Sequence, residues 1–274
     1  MSHADQQIFT ALLLAAGTGT RLSPLTANMP KCLTRVNGIP ILERLMSSLI
    51  RHRFRRLIVV TGYMDHCIRS FLKPYSERME ISFVHSDQYR TTNNIYSLWR
   101  ARNEIKDPFL LLESDLVFDP ECIGPLLTPD RIAIAQVKPW MDGTMVSVDR
   151  YGKVNRFLGI HETEQRLPLY KTVNIYSLSL ESWQYVIQEL DLAIRKKKFQ
   201  AYYEYVFSKL VRQKQLELTP VFFDKTAWYE IDTIEDLIQA EKLFAGCLKS
   251  VTPEVGAGLG GCRSTFAGNH FIEN

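Results

Sequence analysis

The chain has 274 residues, of which 46% are hydrophobic and 23% charged, a composition that is ordinary for a globular protein with a sizeable core. Its formal net charge of +3 argues against a dedicated nucleic-acid-binding protein, in which positive charge is usually more concentrated. The apolar run over residues 11–16 is too short for a signal peptide or a membrane span, so neither nucleic acid nor a membrane is an expected partner. The five cysteines are scattered, without the spacing of a zinc site, and this predicts reduced thiols in a cytoplasmic protein.

The first half of the sequence alternates between strand and helix patterns. Apolar runs of strand length are separated by segments whose apolar residues have helical spacing. The predicted strands are 8–15, 57–61, 81–84 and 109–112, and the predicted helices are 39–52, 64–73 and 94–105. This alternation predicts an α/β fold with a Rossmann-like, doubly wound, mainly parallel sheet. The carboxyl ends of its strands are expected to line one crevice.

Residues 131–178 have a different pattern, in which short strands alternate with Asp-Gly and Tyr-Gly turn signals. The strands predicted here are 132–137, 145–148, 154–158 and 172–178. They predict a small β-rich extension that makes the sheet mixed and covers the crevice.

The C-terminal part is predicted to contain two helices over 179–213, a strand over 216–223 and a last helix over 233–245. We expect one domain over residues 1–245. The Gly-rich tail, 246–274, is expected to be disordered or a linker.

A glycine-rich loop follows the first predicted strand. Its glycines at positions 17 and 19 would let backbone N–H groups approach a phosphate chain closely. Arg21 can bind phosphate oxygens through two N–H groups, and Lys31 adds a second positive charge. The string is neither a P-loop nor a dinucleotide fingerprint. We interpret it as a nucleoside-triphosphate loop, with the following predicted nucleotide contacts: Leu14, Ala15, Ala16, Gly17, Thr18, Gly19 and Thr20.

Three carboxylates are candidate ligands for Mg²⁺, the predicted cofactor. Asp115 follows the fourth strand, and Glu230 and Asp232 are two residues apart on an extended segment, so that both point to one face. A magnesium ion on a triphosphate takes one to three carboxylates. The alternative is an N-cap pair for the last helix, a role that Asp232 fits because Thr233 and the helical pattern follow it.

The longer string from Leu14 to Thr26, followed by Pro30 and Lys31, resembles the signature of nucleotidyltransferases that join a nucleoside triphosphate to a phosphorylated small molecule. The segments Asn-Asn-Ile-Tyr-Ser-Leu at 93–98 and Trp-Tyr-Glu-Ile-Asp at 228–232 are similar to those of bacterial phosphocholine and 2-aminoethylphosphonate cytidylyltransferases. The resemblance covers roughly residues 8–245. One departure is Glu113-Ser114-Asp115, where the family more often has Asp-x-Asp, which leaves the role of Glu113 open.

The resemblance implies a role for each charged residue. The loop and Arg21 would hold the triphosphate of CTP, Lys31 would contact the transferring phosphate, and the three carboxylates would bind Mg²⁺. Lys171 precedes a strand where related enzymes often place a phosphate-binding lysine, and its alternative is a solvated lysine at a strand edge. Further predicted nucleotide contacts are Tyr63, Asn94 and Ser114.

The implied reaction is attack by a phosphate or phosphonate oxygen on the α-phosphorus of CTP, which transfers CMP and releases pyrophosphate. The nucleophile is already an anion, so that catalysis needs positioning and charge neutralisation rather than a base.

The identity of the acceptor is less constrained. A quaternary ammonium calls for an aromatic cage, for which the candidates are Tyr89, Tyr96, Trp140 and Trp228. A primary amine instead favours a carboxylate such as Asp142 or Glu113. The segment 171–176 looks more like the phosphonate branch, in which such domains are often fused to a second enzyme. We therefore favour a small phosphonate over phosphocholine. A homodimer and a fusion to a second domain stay open.

Two other functions are considered. A sugar-1-phosphate nucleotidyltransferase would share the fold, but the sequence lacks the Gly-rich sugar-binding loop that such enzymes usually show. A non-catalytic nucleotide sensor would be expected to lose charged positions, yet Arg21, Lys31, Asp115 and both acidic residues of the 228–232 segment are present.

Overall fold

Strands and helices alternate along most of the chain in the computed structural model, which describes residues 7–138, 141–159, 168–224 and 227–246. The strands are β1 (Thr10–Ala15), β2 (Arg35–Val36), β3 (Ile39–Pro40), β4 (Arg56–Thr61), β5 (Glu80–His85), β6 (Phe109–Glu113), β7 (Leu116–Phe118), β8 (Arg131–Gln136), β9 (Met145–Val148), β10 (Val154–Leu158), β11 (Leu169–Leu178), β12 (Thr219–Phe222) and β13 (Trp228–Glu230). The α-helices are α1 (Ile41–Arg51), α2 (Asp65–Leu72), α3 (Asn94–Arg100), α4 (Leu180–Arg195), α5 (Glu204–Arg212) and α6 (Ile234–Leu243).

Four parallel strands in the order β6-β1-β4-β5 form the middle of the main sheet. All residues of β1 are buried, because a central parallel strand is covered on both faces. Its side chains alternate between those faces: Leu12 and Leu14 belong to one apolar cluster, and Ala11 and Leu13 to the other. The predicted doubly wound α/β fold is confirmed.

The β-rich region continues this sheet through β11. One part of β11 pairs antiparallel with β6, and another part pairs with β9, which in turn pairs with β10. Strand β8 also pairs with β11, and β12 lies parallel to β8. The sheet is therefore mixed, as predicted. These strands extend the sheet sideways through backbone hydrogen bonds, and the expectation that they also cover the crevice stays a prediction.

A separate two-stranded ribbon joins distant parts of the chain at the carboxyl end of β6. Strand β13 pairs antiparallel with β7, with Glu230 opposite Leu116. The backbone N–H of Ile231 donates to the carbonyl of Asp115 at 3.0 Å. This pairing carries the 230–232 segment to the end of β6, where Asp115 lies.

None of the helices in the described ranges combines the length and apolarity that crossing a bilayer requires. All but the first residue of the predicted tail, 246–274, falls outside the described residues, so the expectation for the tail stays a prediction.

Candidate active site

The glycine-rich loop after β1 lies close to Lys31. Gly19 has a left-handed backbone, with φ of 63°, which glycine adopts without the steric cost of a side chain. A Cβ at Gly19 would lie 3.1 Å from both the Lys31 Cβ and the Thr26 Cγ2. The Thr26 hydroxyl donates to the Gly19 carbonyl at 2.8 Å. The glycine therefore serves both the turn and the close approach of Lys31.

This loop forms one wall of a cavity of about 260 Å³ at the carboxyl ends of β1 and β6. The predicted nucleotide-binding residues that line it are Leu14, Ala16, Gly17, Gly19, Thr20, Asn94 and Ser114, together with Arg21, Lys31, Asp115 and Asp232. Tyr89, which the sequence suggests as an aromatic contact of the acceptor, lines this first cavity instead. Sequence reasoning missed four further lining residues, Thr92, Asn93, Ser97 and Tyr202. Asn93 and Ser97 belong to the 93–98 motif and could have been found there, whereas Tyr202 carries no sequence signal.

The Lys31 ammonium lies between two of the predicted metal-binding carboxylates. It donates to Asp115 Oδ2 at 2.7 Å and to Asp232 Oδ1 at 2.6 Å, and only 13% of its side chain is exposed. Burial by itself lowers the pKa of Lys31, but the charges and hydrogen bonds of Asp115 and Asp232 outweigh burial and raise the pKa above its ordinary value. Arg21 adds a second cation, since its Nη2 lies 2.8 Å from the same oxygen of Asp232.

The three predicted metal ligands do not converge on one point. Across the described ranges, no three His, Cys, Asp or Glu side chains are grouped so that they could hold a metal ion by themselves. Asp115 and Asp232 share Lys31, whereas Glu230 pairs with Lys171 at 3.2 Å and accepts from the Asn174 amide at 3.1 Å. The physical reason is that each lysine satisfies the carboxylates nearest to it.

Asp115 and Asp232 nevertheless fit a divalent cation that arrives with phosphates. The Asp115 Oδ1 atom is buried and has no hydrogen-bond partner among the residues that the structure describes, and an orphaned buried carboxylate oxygen calls for a ligand. One or two carboxylates plus substrate phosphates are a common set for Mg²⁺. Two of the three predicted residues therefore suit the metal.

The N-cap alternative for Asp232 is wrong. Thr233 is the N-cap of α6, and its side chain forms a reciprocal capping box with Asp236. Asp236 also accepts from the backbone N–H of Asp232 at 3.1 Å. The Asp232 carboxylate takes no part in capping the helix and instead pairs with Lys31 and Arg21.

A second cavity, of about 230 Å³, begins where the first one ends. Arg21 and Asp232 line both cavities, and Lys171 and Glu230 line only the second. The alternative of a solvated lysine is wrong, because Lys171 is buried and donates both to the carbonyl of Thr172 at 2.8 Å and to Glu230.

The predicted acceptor contacts are not all brought to one place, and two of them, Tyr89 and Glu113, line the first cavity. Asp142 and Trp228 line the second cavity, together with Met141 and Tyr229, which sequence reasoning missed. Tyr96 is not brought to either cavity: its ring is buried beside Trp99, and its hydroxyl donates to Asp87 at 3.1 Å. Trp140 lies outside the described residues.

Below the first cavity, buried polar groups tie three elements together. The Asn94 amide donates to Glu113 at 3.0 Å and accepts from the backbone N–H of Tyr203 at 2.9 Å. Asn94 thus joins α3, β6 and the start of α5. Burial, and then the charges of Asp115 and Glu204, raise the pKa of Glu113 well above its ordinary value, and burial raises the pKa of Glu204 to about 7.

Of the remaining predicted nucleotide contacts, Ala15, Thr18 and Tyr63 do not line the first cavity. The Tyr63 hydroxyl donates to the carbonyls of Thr26 and Ala27, each at 3.0 Å, and its backbone N–H donates to Ala16. Tyr63 therefore supports the backbone of the glycine-rich loop without lining the first cavity.

Gly62 supports the same loop by close approach. A Cβ at this position would lie 2.7 Å from the Ala16 carbonyl oxygen and 2.7 Å from Tyr89 Cγ. We expect Gly62→Ala to lower the free energy of unfolding by about 1–3 kcal/mol, because the backbone or Tyr89 must move. Urea unfolding measures this loss. Gly159→Ala is the matched control, since a Cβ there meets no atom of the described residues within 4 Å, and equal effects of the two changes would contradict the packing argument.

The glycine-rich loop, two cations and two carboxylates lie together at the carboxyl rim of a parallel sheet, which is the arrangement that the resemblance to nucleotidyltransferases predicts. Residues 10–127 match the family described as nucleotidyl transferase. This match agrees with the predicted family and enzyme class.

Two curated relatives have names that refer to CMP or CTP. CMP-5'-(3-aminopropyl)phosphonate synthase of Streptomyces rubellomurinus is 29% identical over 245 residues, which cover 86% of this chain and 38% of that protein. The chain therefore spans well under half the length of this relative. CTP:phosphoglutamine cytidylyltransferase of Campylobacter jejuni is 24% identical over 257 residues, which cover 85% of this chain and 99% of that protein.

Among solved structures, the CTP:phosphocholine cytidylyltransferase of Streptococcus pneumoniae superimposes with a TM-score of 0.72 at 20% identity, covering 87% of this chain and 99% of that chain. At this identity the likeness concerns the fold, and it agrees with the mixed α/β sheet described above.

Proposed function

We propose that this protein is a Mg²⁺-dependent cytidylyltransferase that transfers CMP from CTP to a small phosphonate bearing an amine, with release of pyrophosphate. The observation that carries the proposal is the junction of the two cavities at Arg21 and Asp232. One cavity has the glycine-rich loop for a triphosphate, and the other has a buried lysine for a second anion. The two substrates would meet at this junction.

The chemistry requires two anions to approach each other. An oxygen of the acceptor attacks the α-phosphorus of CTP, a new P–O bond forms, and the bond between the α-phosphorus and the oxygen bridging to the β-phosphate breaks as pyrophosphate leaves. Arg21 and Lys31 offset the charge of the triphosphate, and Lys171 offsets that of the acceptor. Asp115 and Asp232 would hold Mg²⁺, which when bound neutralises further phosphate charge. No residue has to remove a proton from the acceptor anion.

The second cavity supports an acceptor that carries a nitrogen cation. Its lining combines the carboxylate of Asp142 with the aromatic rings of Trp228 and Tyr229. A primary ammonium favours the carboxylate, and a quaternary ammonium favours the rings. The names of the Streptomyces and Campylobacter relatives join CMP or CTP to a phosphonate or phosphorylated acceptor. The phosphonate relative supports the preference for an aminophosphonate.

A pyrophosphate-release assay tests the proposal. Four nucleoside triphosphates are crossed with 2-aminoethylphosphonate, phosphocholine and glucose-1-phosphate in the presence of Mg²⁺. We expect release with CTP and the aminophosphonate, weaker release with CTP and phosphocholine, and loss of release when the metal is chelated. Release with glucose-1-phosphate alone would favour a sugar-1-phosphate nucleotidyltransferase, and no release with any pair would favour a nucleotide sensor.

A further inference from the structure

Strand β11 contains an irregularity at the edge of the second cavity. Its register against β8 shifts between Thr172 and Tyr176, and within this bulge Asn174 has a left-handed backbone, with φ of 59°. Asparagine tolerates this conformation better than most residues, but only glycine adopts it freely. A bulge turns a side chain out of the regular alternation of a strand. The residues that the Asn174 side chain contacts therefore indicate what the bulge is for.

The Asn174 amide is held at both ends. Its oxygen lies 3.0 Å from the Thr172 hydroxyl, whose single proton is shared with the Thr144 carbonyl, also at 3.0 Å. Its nitrogen donates to Glu230 Oε1 at 3.1 Å. A carboxylate only accepts hydrogen bonds, so the amide nitrogen must face Glu230. Asn174 is buried, and its orientation is therefore set by its partners.

The Glu230 carboxylate, held by Asn174, in turn binds the Lys171 ammonium. Its second oxygen, Oε2, lies 3.2 Å from Lys171 Nζ, which also donates to the Thr172 carbonyl. An added Cβ at Gly143 would lie 3.2 Å from the same Nζ, so the loop backbone closes over the ammonium. An ammonium has three N–H donors. Its hydrogen bonds to described residues account for two of them, and we assign the third to an oxygen of the acceptor.

From this chain of contacts we infer that Asn174 is a positioning residue, which fixes the Glu230 carboxylate and through it the Lys171 ammonium for the acceptor anion. The inference rests on the proposed role of Lys171 in binding the acceptor. It also gives Glu230 a different role from the metal ligand that the sequence predicts.

Asn174→Gly tests the inference, because glycine keeps the left-handed backbone and removes only the amide. We expect kcat/KM for the acceptor to fall about ten- to hundredfold, which corresponds to one hydrogen bond to a charged group, while KM for CTP changes less than about twofold. A merely structural role would affect both substrates alike. Asn37→Gly is the matched control: Asn37 also has a positive φ, of 51°, and its side-chain amide donates to the backbone carbonyl of Glu241, which lines neither cavity.

A second comparison asks whether Asn174 acts through Glu230. If it does, Asn174→Gly should cost little further activity in a Glu230→Gln protein, because the contact is already weakened. The inference would be overturned if the losses of activity in the two single variants multiplied in the double variant. It would also be overturned if Asn174→Gly kept a kcat/KM for the acceptor within about threefold of wild type.

The same contacts can be tested without measuring activity, by urea unfolding of a double-mutant cycle that combines Asn174→Gly with Lys171→Met. Asn174 and Lys171 are linked through Glu230, so we expect non-additive effects on the unfolding midpoint, and additive effects would refute the relay. If the wild-type protein were inactive but the cycle showed coupling, the proposed function would be rejected while the positioning contacts stayed supported. Failure of the proposed function can therefore be distinguished from failure of the inference.

Discussion

Replacing Lys31 with methionine is expected to lower kcat for CMP transfer about 10²- to 10³-fold, the loss seen when a preorganised charge-stabilising group is removed. The same change should lower the free energy of unfolding by on the order of 3 kcal/mol, because Asp115 would lose its cation while it stays largely buried. Asp232 is less affected, since Arg21 remains beside it. Single-turnover kinetics measures the first effect, and urea unfolding measures the second.

The control for this prediction is Lys153→Met. Lys153 pairs with Glu217 at 2.7 Å at a more exposed position, where ion pairs contribute little to stability. We expect nearly unchanged turnover and a change in unfolding free energy below about 1 kcal/mol. A Lys31→Met protein that keeps more than about a tenth of wild-type turnover would remove Lys31 from the transferring phosphate.

Asp115→Asn should abolish CMP transfer while leaving the fold intact. The amide keeps the shape of the side chain and an oxygen that Lys31 can reach, but it is a much weaker ligand for Mg²⁺. Loss of a metal ligand is expected to remove several kcal/mol of transition-state stabilisation, or about a hundredfold or more in rate. Turnover is measured over a range of Mg²⁺ concentrations, and circular dichroism checks the fold.

Asp107→Asn is the matched control for this second prediction. Asp107 is exposed and precedes β6, whereas Asp115 follows the same strand, so the two changes are alike in chemistry and lie at opposite ends of one strand. We expect wild-type turnover for Asp107→Asn. Retention of more than about a tenth of the activity by Asp115→Asn would show that Asp115 does not hold the metal.

The split of the three carboxylates bears on both predictions. Their number and approximate place at the rim agree with the interpretation of the sequence. Their pairing does not follow from it, because sequence patterns do not show that Lys31 lies between Asp115 and Asp232 while Lys171 and Asn174 hold Glu230. Charged side chains select partners by distance in the folded chain, and distance depends on the register of strands that are far apart in sequence.

Tyr96 is a second case in which the sequence pattern does not predict the contacts of a side chain. Its motif indicates a functional segment, and neighbouring Asn93, Asn94 and Ser97 do line the first cavity. Helical geometry turns Tyr96 away from them, so that it packs on Trp99 and its hydroxyl contacts Asp87. A motif thus identifies a segment reliably, whereas the direction of each side chain within it requires the position of the helix.

The sequence by itself determined the α/β architecture, the glycine-rich loop after the first strand, and where the two lysines and the carboxylates lie along the chain. These features depend on local patterns: buried strands as continuous apolar runs, glycines where the backbone turns tightly, and polar residues directly after strands. The tertiary structure alone decided how these groups combine. Pairing of β13 with β7 carries Asp232 to Asp115, and the bulge in β11 aims Asn174 at Glu230. Both arise from long-range strand pairing, whose energy depends on burial and register across the whole sheet rather than on neighbouring residues.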